Sequence, residues 1–208
     1  MDVFISLKFE GKMKKYFAGL ILIWVLALPS ICRAGEATDF IEVKQDKLFD
    51  LIKNFDSKSK INAALDELID FDFIVKDALG DEWDNLNPTQ KSEFSRLFKE
   101  LFRKSYENNL KKTLRYHNEY MGEESVNGAT YVKMRITESS KDSSEPIDVE
   151  FKVVKTENGL KVRDVVTEDE SVVKSYRSQF LRVIHKDGIQ TLLRKMKNRL
   201  KNSSMIFL

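Results

Sequence analysis

Apolar residues recur at helical spacing over residues 39 to 112, three or four positions apart, which predicts amphipathic helices. The clearest helix follows Asn87-Pro88, because asparagine suits a helix cap and proline suits the first helical turn. Beyond that start, one face carries six large apolar side chains: Phe94, Leu97, Phe98, Leu101, Phe102 and Tyr106. This face is wide and aromatic, so we expect a large surface to cover it.

From about residue 114 the period changes to two, as where Val132 and Met134 alternate with Lys133. Asn127-Gly128 and Asn158-Gly159 are hairpin-turn signals. Helical spacing returns after residue 170 and is interrupted at Gly188. The pattern predicts an α+β fold, with helices packed on one face of a four-stranded antiparallel sheet. The strands are expected at about residues 114–126, 129–139, 146–156 and 160–168.

The fourth predicted strand contains one irregularity. Leu160 and Val162 should face the core, and strict alternation would also send Asp164 there. A buried carboxylate without partners is costly. We therefore expect either a bulge near Arg163, which re-aims the strand, or hydrogen bonds to Asp164 at the strand end. Both explanations favour a structural role for this acid over a functional one.

The beginning of the chain has the features of a secretory signal peptide. Met13-Lys14-Lys15 precedes residues 16–28, of which only Gly19 is not hydrophobic. This apolar core is shorter than the ~20 residues of a transmembrane helix. We interpret residues 1–34 as an upstream extension plus a cleaved signal peptide, and residues 35–208 as a single domain. An uncleaved membrane anchor is the alternative.

Removing residues 1–34 changes the charge of the chain. Five of the 35 basic and two of the 33 acidic side chains lie in that segment, which leaves 30 basic and 31 acidic residues and a net charge of −1. This balance gives no general case for nucleic-acid binding. The only cysteine, Cys32, lies in the same segment, so the exported chain would have no disulfide.

Residues suited to catalysis or metal binding are sparse. His117 and His185 lie on different predicted elements, and there is no glycine-rich phosphate loop or metal-ligand spacing. The acidic residues between positions 70 and 84 do not match a calcium loop, so we interpret them as a solvated helix face. We assign no catalytic residue and no metal ligand. An enzyme using Asp164 as a general base remains an alternative, as does an adaptor module with a closed core.

Two ordered sets of residues resemble a known family. The first is Phe71-Asp72, Leu79-Gly80, Trp83, Thr89-Gln90, Phe94, Phe98 and Tyr106, and the second is Asp164-Val165, Ser171, Tyr176-Arg177, Gln179-Phe180 and Gly188. Together with the signal peptide, they resemble the MlaC/toluene-tolerance family of periplasmic phospholipid-binding proteins over nearly all of the chain after residue 34. The chain departs from the family pattern at residues 160–165 and at 168–171, where it has additional acidic residues near the expected cavity rim.

The resemblance implies a soluble periplasmic carrier that shuttles glycerophospholipid between the outer and inner membranes and maintains outer-membrane lipid asymmetry. Its partners would be an outer-membrane lipoprotein/porin complex and an inner-membrane ABC-transporter complex of the Mla type. The sheet would be curved, and the acyl chains would lie in an internal apolar cavity, as cargo and not as a cofactor. Exposing two chains of about 16 carbons to water costs on the order of 25 kcal/mol, so such a lipid needs shelter but no catalyst.

We expect the cavity lining to come from twelve apolar side chains, about half of which would be ordinary packing: Phe73, Ile74, Leu79, Phe94, Leu97, Phe98, Leu101, Val132, Met134, Val149, Phe151 and Phe180. Four further residues are candidates for the cavity mouth or a partner contact: Trp83, Tyr106, Tyr176 and Arg177. Hydrogen-bonded core positions are the alternative for Trp83 and Tyr106, and a structural ion pair is the alternative for Arg177. Periodicity alone does not separate a cavity from a closed core.

Overall fold

The structure, a computed structural model, describes residues 35–113, 116–138 and 145–201. The predicted signal peptide lies outside these residues. The helices are α1 (Glu36–Lys53), α2 (Lys58–Leu68), α3 (Phe71–Asp77), α4 (Pro88–Thr113) and α5 (Val172–Lys201), with a single 3₁₀ turn at Gly80–Trp83 between α3 and α4. Within α5, Gly188 has a positive φ of 78° that interrupts the helix at the predicted position.

The strands form one antiparallel sheet in chain order: β1 (Tyr116–Val126), β2 (Ala129–Glu138), β3 (Ile147–Thr156), β4 (Gly159–Thr167) and β5 (Glu170–Ser171). The predicted α+β fold is confirmed, but the predicted count of four strands is wrong. The fifth strand has two residues, too few to show an alternation. The chain turns back from β4 into β5 through Glu168 and Asp169, which both have a positive φ. No turn is predicted there, because neither position holds the glycine or asparagine that usually indicates one.

Local signals elsewhere are confirmed. Asn127-Gly128 connects β1 to β2, and Asn158-Gly159 lies where β3 turns into β4, with Gly159 as the first residue of β4. At the start of α4, the Gln90 amide N–H donates to Asn87 Oδ1 at 2.9 Å, and the Asn87 amide N–H donates to Gln90 Oε1 at 3.0 Å. This reciprocal capping box fixes where the long aromatic helix begins.

The irregularity predicted in β4 is a bulge. Lys152 pairs with Asp164, but the next residue, Val153, pairs with Val162, so Arg163 is an additional residue in β4. A second bulge lies in β1, where the register shifts between Tyr120 and Gly122. Because a bulge bends its strand and increases the local twist, the two together curve the sheet.

Asp164 also has the hydrogen bonds expected of a structural acid. Its Oδ1 accepts from the amides of Val165 at 2.9 Å and Val173 at 3.1 Å, and its Oδ2 accepts from Ser171 Oγ at 2.5 Å. The carboxylate therefore joins the end of β4 to the first turn of α5, where its charge is also favoured by the helix dipole.

The helices cover one face of the sheet and share a single buried core with it. The junction between α2 and α3 is fixed to β4, since the Asp70 amide donates to the Val162 carbonyl at 2.9 Å. Fully buried side chains come from all five helices, from β2, β3 and β4, and from Leu79 beside the 3₁₀ turn: Ile41, Leu48, Leu65, Leu68, Ile74, Leu79, Phe94, Leu97, Val132, Val153, Val162 and Leu193.

The N-terminus of α1 is capped by a residue of β1. Gly35, which precedes the helix, has no side chain to offer, and Glu123 supplies the acceptor instead. Glu123 Oε2 accepts from the Thr38 amide at 2.7 Å and from Thr38 Oγ1 at 2.8 Å. A Cβ at position 35 would lie 1.8 Å from Glu123 Oε1, so this close approach requires glycine. The contact fixes the start of α1 against the sheet.

Replacing Glu123 with alanine should lower the free energy of unfolding by about 1–2 kcal/mol, because the cap and a buried threonine hydroxyl lose their acceptor. The matched control is Glu124→Ala, since that neighbour makes only an exposed ion pair with Lys133 and should change stability by at most about 0.5 kcal/mol. Urea unfolding measures both. Equal losses for the two variants would contradict the capping role, and Gly35→Ala should have little further effect once Glu123 is removed.

Candidate functional site

A cavity of about 390 Å³ lies between the sheet and helices α1, α4 and α5. We call it the main cavity. Its volume falls in the range of roughly 300–1,000 Å³ that is typical of sites for small molecules. The apolar and aromatic side chains that line it are Phe49, Phe102, Tyr106, Leu110, Met134, Ile136, Val149, Phe151, Val165, Val172 and Tyr176, and the polar ones are Gln45, Ser105, Asn109, Asn118, Thr167, Glu170, Ser171, Ser175 and Gln179.

A smaller space of about 130 Å³, which we call the side cavity, lies between α4 and α5. It is lined by Phe98, Leu101, Phe102, Tyr176, Gln179, Phe180, Val183, Leu192, Lys195, Met196 and Arg199. Phe102, Tyr176 and Gln179 line both spaces. These three side chains therefore form the partition between them.

The position of the main cavity follows from the sequence of α4. The first half of its aromatic face is closely packed, with Phe94 and Leu97 almost completely buried. The second half, from Phe102 onwards, faces the main cavity, and there Ser105 and Asn109 take positions on the same face. These short polar side chains fill less space than phenylalanine or leucine, so the helix and the sheet do not close on each other.

Aromatic contacts between α4 and α5 fix the wall of the cavity. The rings of Phe94 and Phe180 meet edge to face at 5.6 Å, and those of Phe98 and Tyr176 do so at 5.5 Å. Tyr176 also stacks on Phe180 at 5.8 Å. Each such pair contributes about 0.5–1.5 kcal/mol beyond the area it buries, so the spacing of the two helices is well determined.

The structure divides the twelve expected lining residues into two equal groups. Met134, Val149 and Phe151 line the main cavity, and Phe98, Leu101 and Phe180 line the side cavity. The other six line neither space: Phe73, Ile74, Leu79, Phe94, Leu97 and Val132. Five of these are buried in the core, whereas Phe73 is partly buried, with the Arg163 guanidinium 4.3 Å from the centre of its ring.

Of the four candidates for the mouth, Tyr106 and Tyr176 line the main cavity, and Trp83 and Arg177 do not. Trp83 is half-buried, with the Lys91 ammonium 5.6 Å from its ring centre. Arg177 Nε donates to the Asp77 carbonyl at 2.6 Å, and its guanidinium also pairs with the Asp77 carboxylate. This arginine therefore ties α5 to the end of α3.

Two polar lining residues went unnoticed in the sequence, although both break a pattern. Gln45 lies four residues after Ile41 and three before Leu48, on the buried stripe of α1. Asn118 occupies an inward position of β1, where its exposed neighbours are His117 and Glu119. In each case, a polar residue at an otherwise apolar position of the pattern indicates that the side chain faces a space and not the closed core.

The side chains that line the main cavity carry almost no charge. Glu170 is the one charged side chain among the lining residues of the main cavity. Burial raises the pKa of Tyr106 and of Tyr176, so both phenols stay neutral at physiological pH. Within the described residues, no group of three or more His, Cys, Asp or Glu side chains could hold a metal ion. The arrangement is suited to holding an apolar molecule.

The buried phenol of Tyr106 has a measurable consequence at alkaline pH. Because loss of hydration, aided by the nearby Tyr120, raises its pKa in the native state, the unfolded chain releases this proton first. The wild type should therefore lose stability relative to Tyr106→Phe above about pH 10, by up to ~1.4 kcal/mol per pH unit. Below pH 9 the variant should be the less stable of the two by about 1 kcal/mol, since it lacks the hydrogen bond to Gln45.

Urea unfolding at intervals between pH 7 and 11 measures this difference. The interval from pH 7 to 9 is the internal control, because the gap between the two proteins should be constant there. A gap that stays the same up to pH 11 would show that the native phenol ionises as readily as the unfolded one.

None of the helices in the described ranges is both long enough and apolar enough to span a membrane. No curated protein matches the sequence. In the fold, the chain is similar to a phospholipid-binding protein from Ralstonia solanacearum that was solved in complex with a phospholipid, with a TM-score of 0.68 and 21% sequence identity. The match covers 82% of this chain and 100% of that one. The model of the MlaC protein family matches residues 39–198, and the chain therefore belongs to the MlaC family.

Proposed function

We propose that this protein is a periplasmic carrier that holds glycerophospholipid with its acyl chains in the main cavity and shuttles it between the outer and inner membranes. The observation that carries the proposal is the main cavity itself, in which eleven of the twenty lining side chains are apolar or aromatic and none is lysine or arginine. Membership of the MlaC family supports it, as does the phospholipid bound by the similar Ralstonia protein.

The physical task of such a carrier is to keep acyl chains from water. Hydration of each methylene costs about 0.8 kcal/mol, so a free phospholipid crosses an aqueous compartment very slowly. A cavity lined by side chains such as Met134, Val149 and Phe151 removes that cost and makes no covalent change. The proposed function therefore includes no catalysis, no cofactor and no metal, and the lipid is cargo.

The residues proposed to touch lipid are those that line the two spaces. Of the residues predicted from the sequence, these are Phe98, Leu101, Met134, Val149, Phe151 and Phe180, with Tyr106 and Tyr176 beside them. Phe102 and Tyr176 lie between the two spaces, so a change in their rotamers would join the side cavity to the main one. The six predicted residues that line neither space, five of them buried and Phe73 partly buried, would support the walls.

Export and partners complete the proposal. Residues 1–34 would be removed as the chain reaches the periplasm, which leaves the domain of residues 35–208. There the carrier would exchange lipid with an outer-membrane lipoprotein/porin complex and an inner-membrane ABC-transporter complex of the Mla type. Family membership supports these partners.

Filling the main cavity tests the proposal. Val165 lines the main cavity and Val166, the next residue, does not, so Val165→Trp and Val166→Trp are a matched pair. Val165→Trp should lower uptake of labelled phospholipid from vesicles about tenfold, because the indole occupies the space that the acyl chains need. Val166→Trp should keep uptake close to that of the wild type.

Circular dichroism of both variants establishes that they are folded before uptake is compared. Equal uptake by the two folded variants would place the lipid outside the main cavity. Absence of uptake by the wild type would contradict the carrier function altogether.

A further inference from the structure

The side chains that separate the main cavity from the side cavity are mostly aromatic. Phe102 of α4 and Tyr176 of α5 line both spaces, and only 9% and 7% of their surfaces are exposed. Gln179, the third side chain between the spaces, is exposed to solvent, and its Nε2 donates to Ser175 Oγ at 3.2 Å. The two buried rings, which we call the aromatic partition, therefore form the inner part of this boundary.

The main cavity is small for the cargo that we propose. An engineered cavity of about 150 Å³ binds one benzene molecule, which is about 25 Å³ for each carbon atom. At that density the main cavity, with its volume of about 390 Å³, holds roughly 15 carbons. Two long acyl chains have more carbons than this, so the bound chains fill the main cavity as far as the aromatic partition.

The side cavity provides further space for an acyl chain. Its volume of about 130 Å³ is room for roughly five more carbons at the same density. Eight of its eleven lining side chains are apolar or aromatic, and Leu101, Val183 and Met196 are among them. Because an acyl chain makes only apolar contacts, it is the part of a phospholipid that suits this lining.

The aromatic partition moves more easily than the walls of the main cavity. Backbone hydrogen bonds hold the sheet and the helices, whereas apolar contacts hold the ring of Phe102, whose centroid lies 5.4 Å from that of Phe71 and 6.4 Å from that of Tyr106. An acyl chain that takes the place of the ring makes contacts of the same kind, because the hydrophobic effect is non-directional. What is lost is the favourable arrangement of the rings. A chain that reaches beyond the main cavity therefore has to disrupt these contacts, and a shorter chain does not.

We infer that the aromatic partition determines which acyl-chain length the carrier prefers. Shorter chains end in front of Phe102 and Tyr176, whereas longer chains displace these rings and enter the side cavity. This inference rests on the proposed function, and it makes the two aromatic residues the specificity determinants of the carrier. The preference is for chains that fill the main cavity and leave the partition in place.

A competition between two phospholipids tests the inference. The protein is incubated with vesicles that contain equal amounts of two monounsaturated phosphatidylcholines, with about 14 and about 18 carbons in each chain, until the composition of the bound lipid is constant. The bound lipid is then extracted and measured by mass spectrometry. Because both lipids leave a bilayer, the cost of hydrating their chains largely cancels, and the ratio reports their fit to the cavity. The wild type should be enriched in the shorter lipid by about three- to tenfold, the effect of disrupting one or two aromatic contacts.

Opening the partition should remove this preference. Phe102→Ala deletes one of the two rings and joins the cavities, so the ratio of shorter to longer lipid should fall towards one. Phe40→Ala is the matched control, because Phe40 is partly buried and lines neither space. The control should keep the ratio of the wild type. Circular dichroism establishes that each variant is folded before the ratios are compared.

Filling the side cavity is an independent test that leaves the partition intact. Val183→Trp places an indole in the side cavity, so the longer chains lose the space beyond the partition and the preference for the shorter lipid should rise by at least about threefold. Ile184→Trp is the matched control and should keep the ratio of the wild type, since Ile184 is the next residue of α5, is also partly buried and lines neither space. Val183→Trp added to Phe102→Ala should restore the preference for the shorter lipid. If Phe102→Ala does not fold, the comparison of Val183→Trp with Ile184→Trp decides the question alone.

The outcomes separate the inference from the function on which it rests. Equal binding of the two lipids by the wild type would overturn the role of the partition and leave the carrier function standing. Controls that shift the ratio as much as Phe102→Ala and Val183→Trp would also overturn it, since residues outside both cavities would then matter equally. If the wild type takes up neither lipid, the proposed function fails and the inference fails with it.

Discussion

The packing of α4 determines both the core and the main cavity. One face of this helix must close a core at its beginning and leave a space at its end. Phe94 and Phe98 close the core by packing against Tyr176 and Phe180 of α5, with ring centroids 5.5–6.1 Å apart. The aromatic contacts hold α5 at a fixed distance, so the second half of α4 spans the main cavity without collapsing onto the sheet. One face of α4 therefore packs in the core along its first half and lines the main cavity along its second half.

Two acids complete hydrogen bonds that join the sheet to the helices. The carboxylate of Asp164 accepts three hydrogen bonds and joins β4 to α5, and Glu123 in the same way satisfies the buried Thr38. These acids stabilise the scaffold. Gln45, which lines the main cavity, accepts a hydrogen bond from the Tyr106 hydroxyl and so joins α1 to α4.

Features set by local sequence could be predicted, whereas features set by how elements meet could not. The capping box at Asn87, the Asn-Gly hairpins and the break at Gly188 each depend on a few adjacent residues, and the structure has all three. The fifth strand was missed because two residues show no alternation. The helical period identified the aromatic face of α4 but not the residue at which packing ends and the cavity begins, because that depends on the distance to the sheet. Val165 reaches the cavity only because the bulge at Arg163 shifts the alternation of β4.

Native mass spectrometry of the protein purified from a periplasmic extract, with lipid extraction in parallel, tests whether the folded protein carries a phospholipid in its interior. We expect an adduct with the mass of a phospholipid, which is lost on denaturation and recovered in the organic phase. If the protein is detected only at the mass of the polypeptide, yields no lipid on extraction and takes up none from vesicles, it does not carry phospholipid. The space between α4 and the sheet would then be only a packing defect.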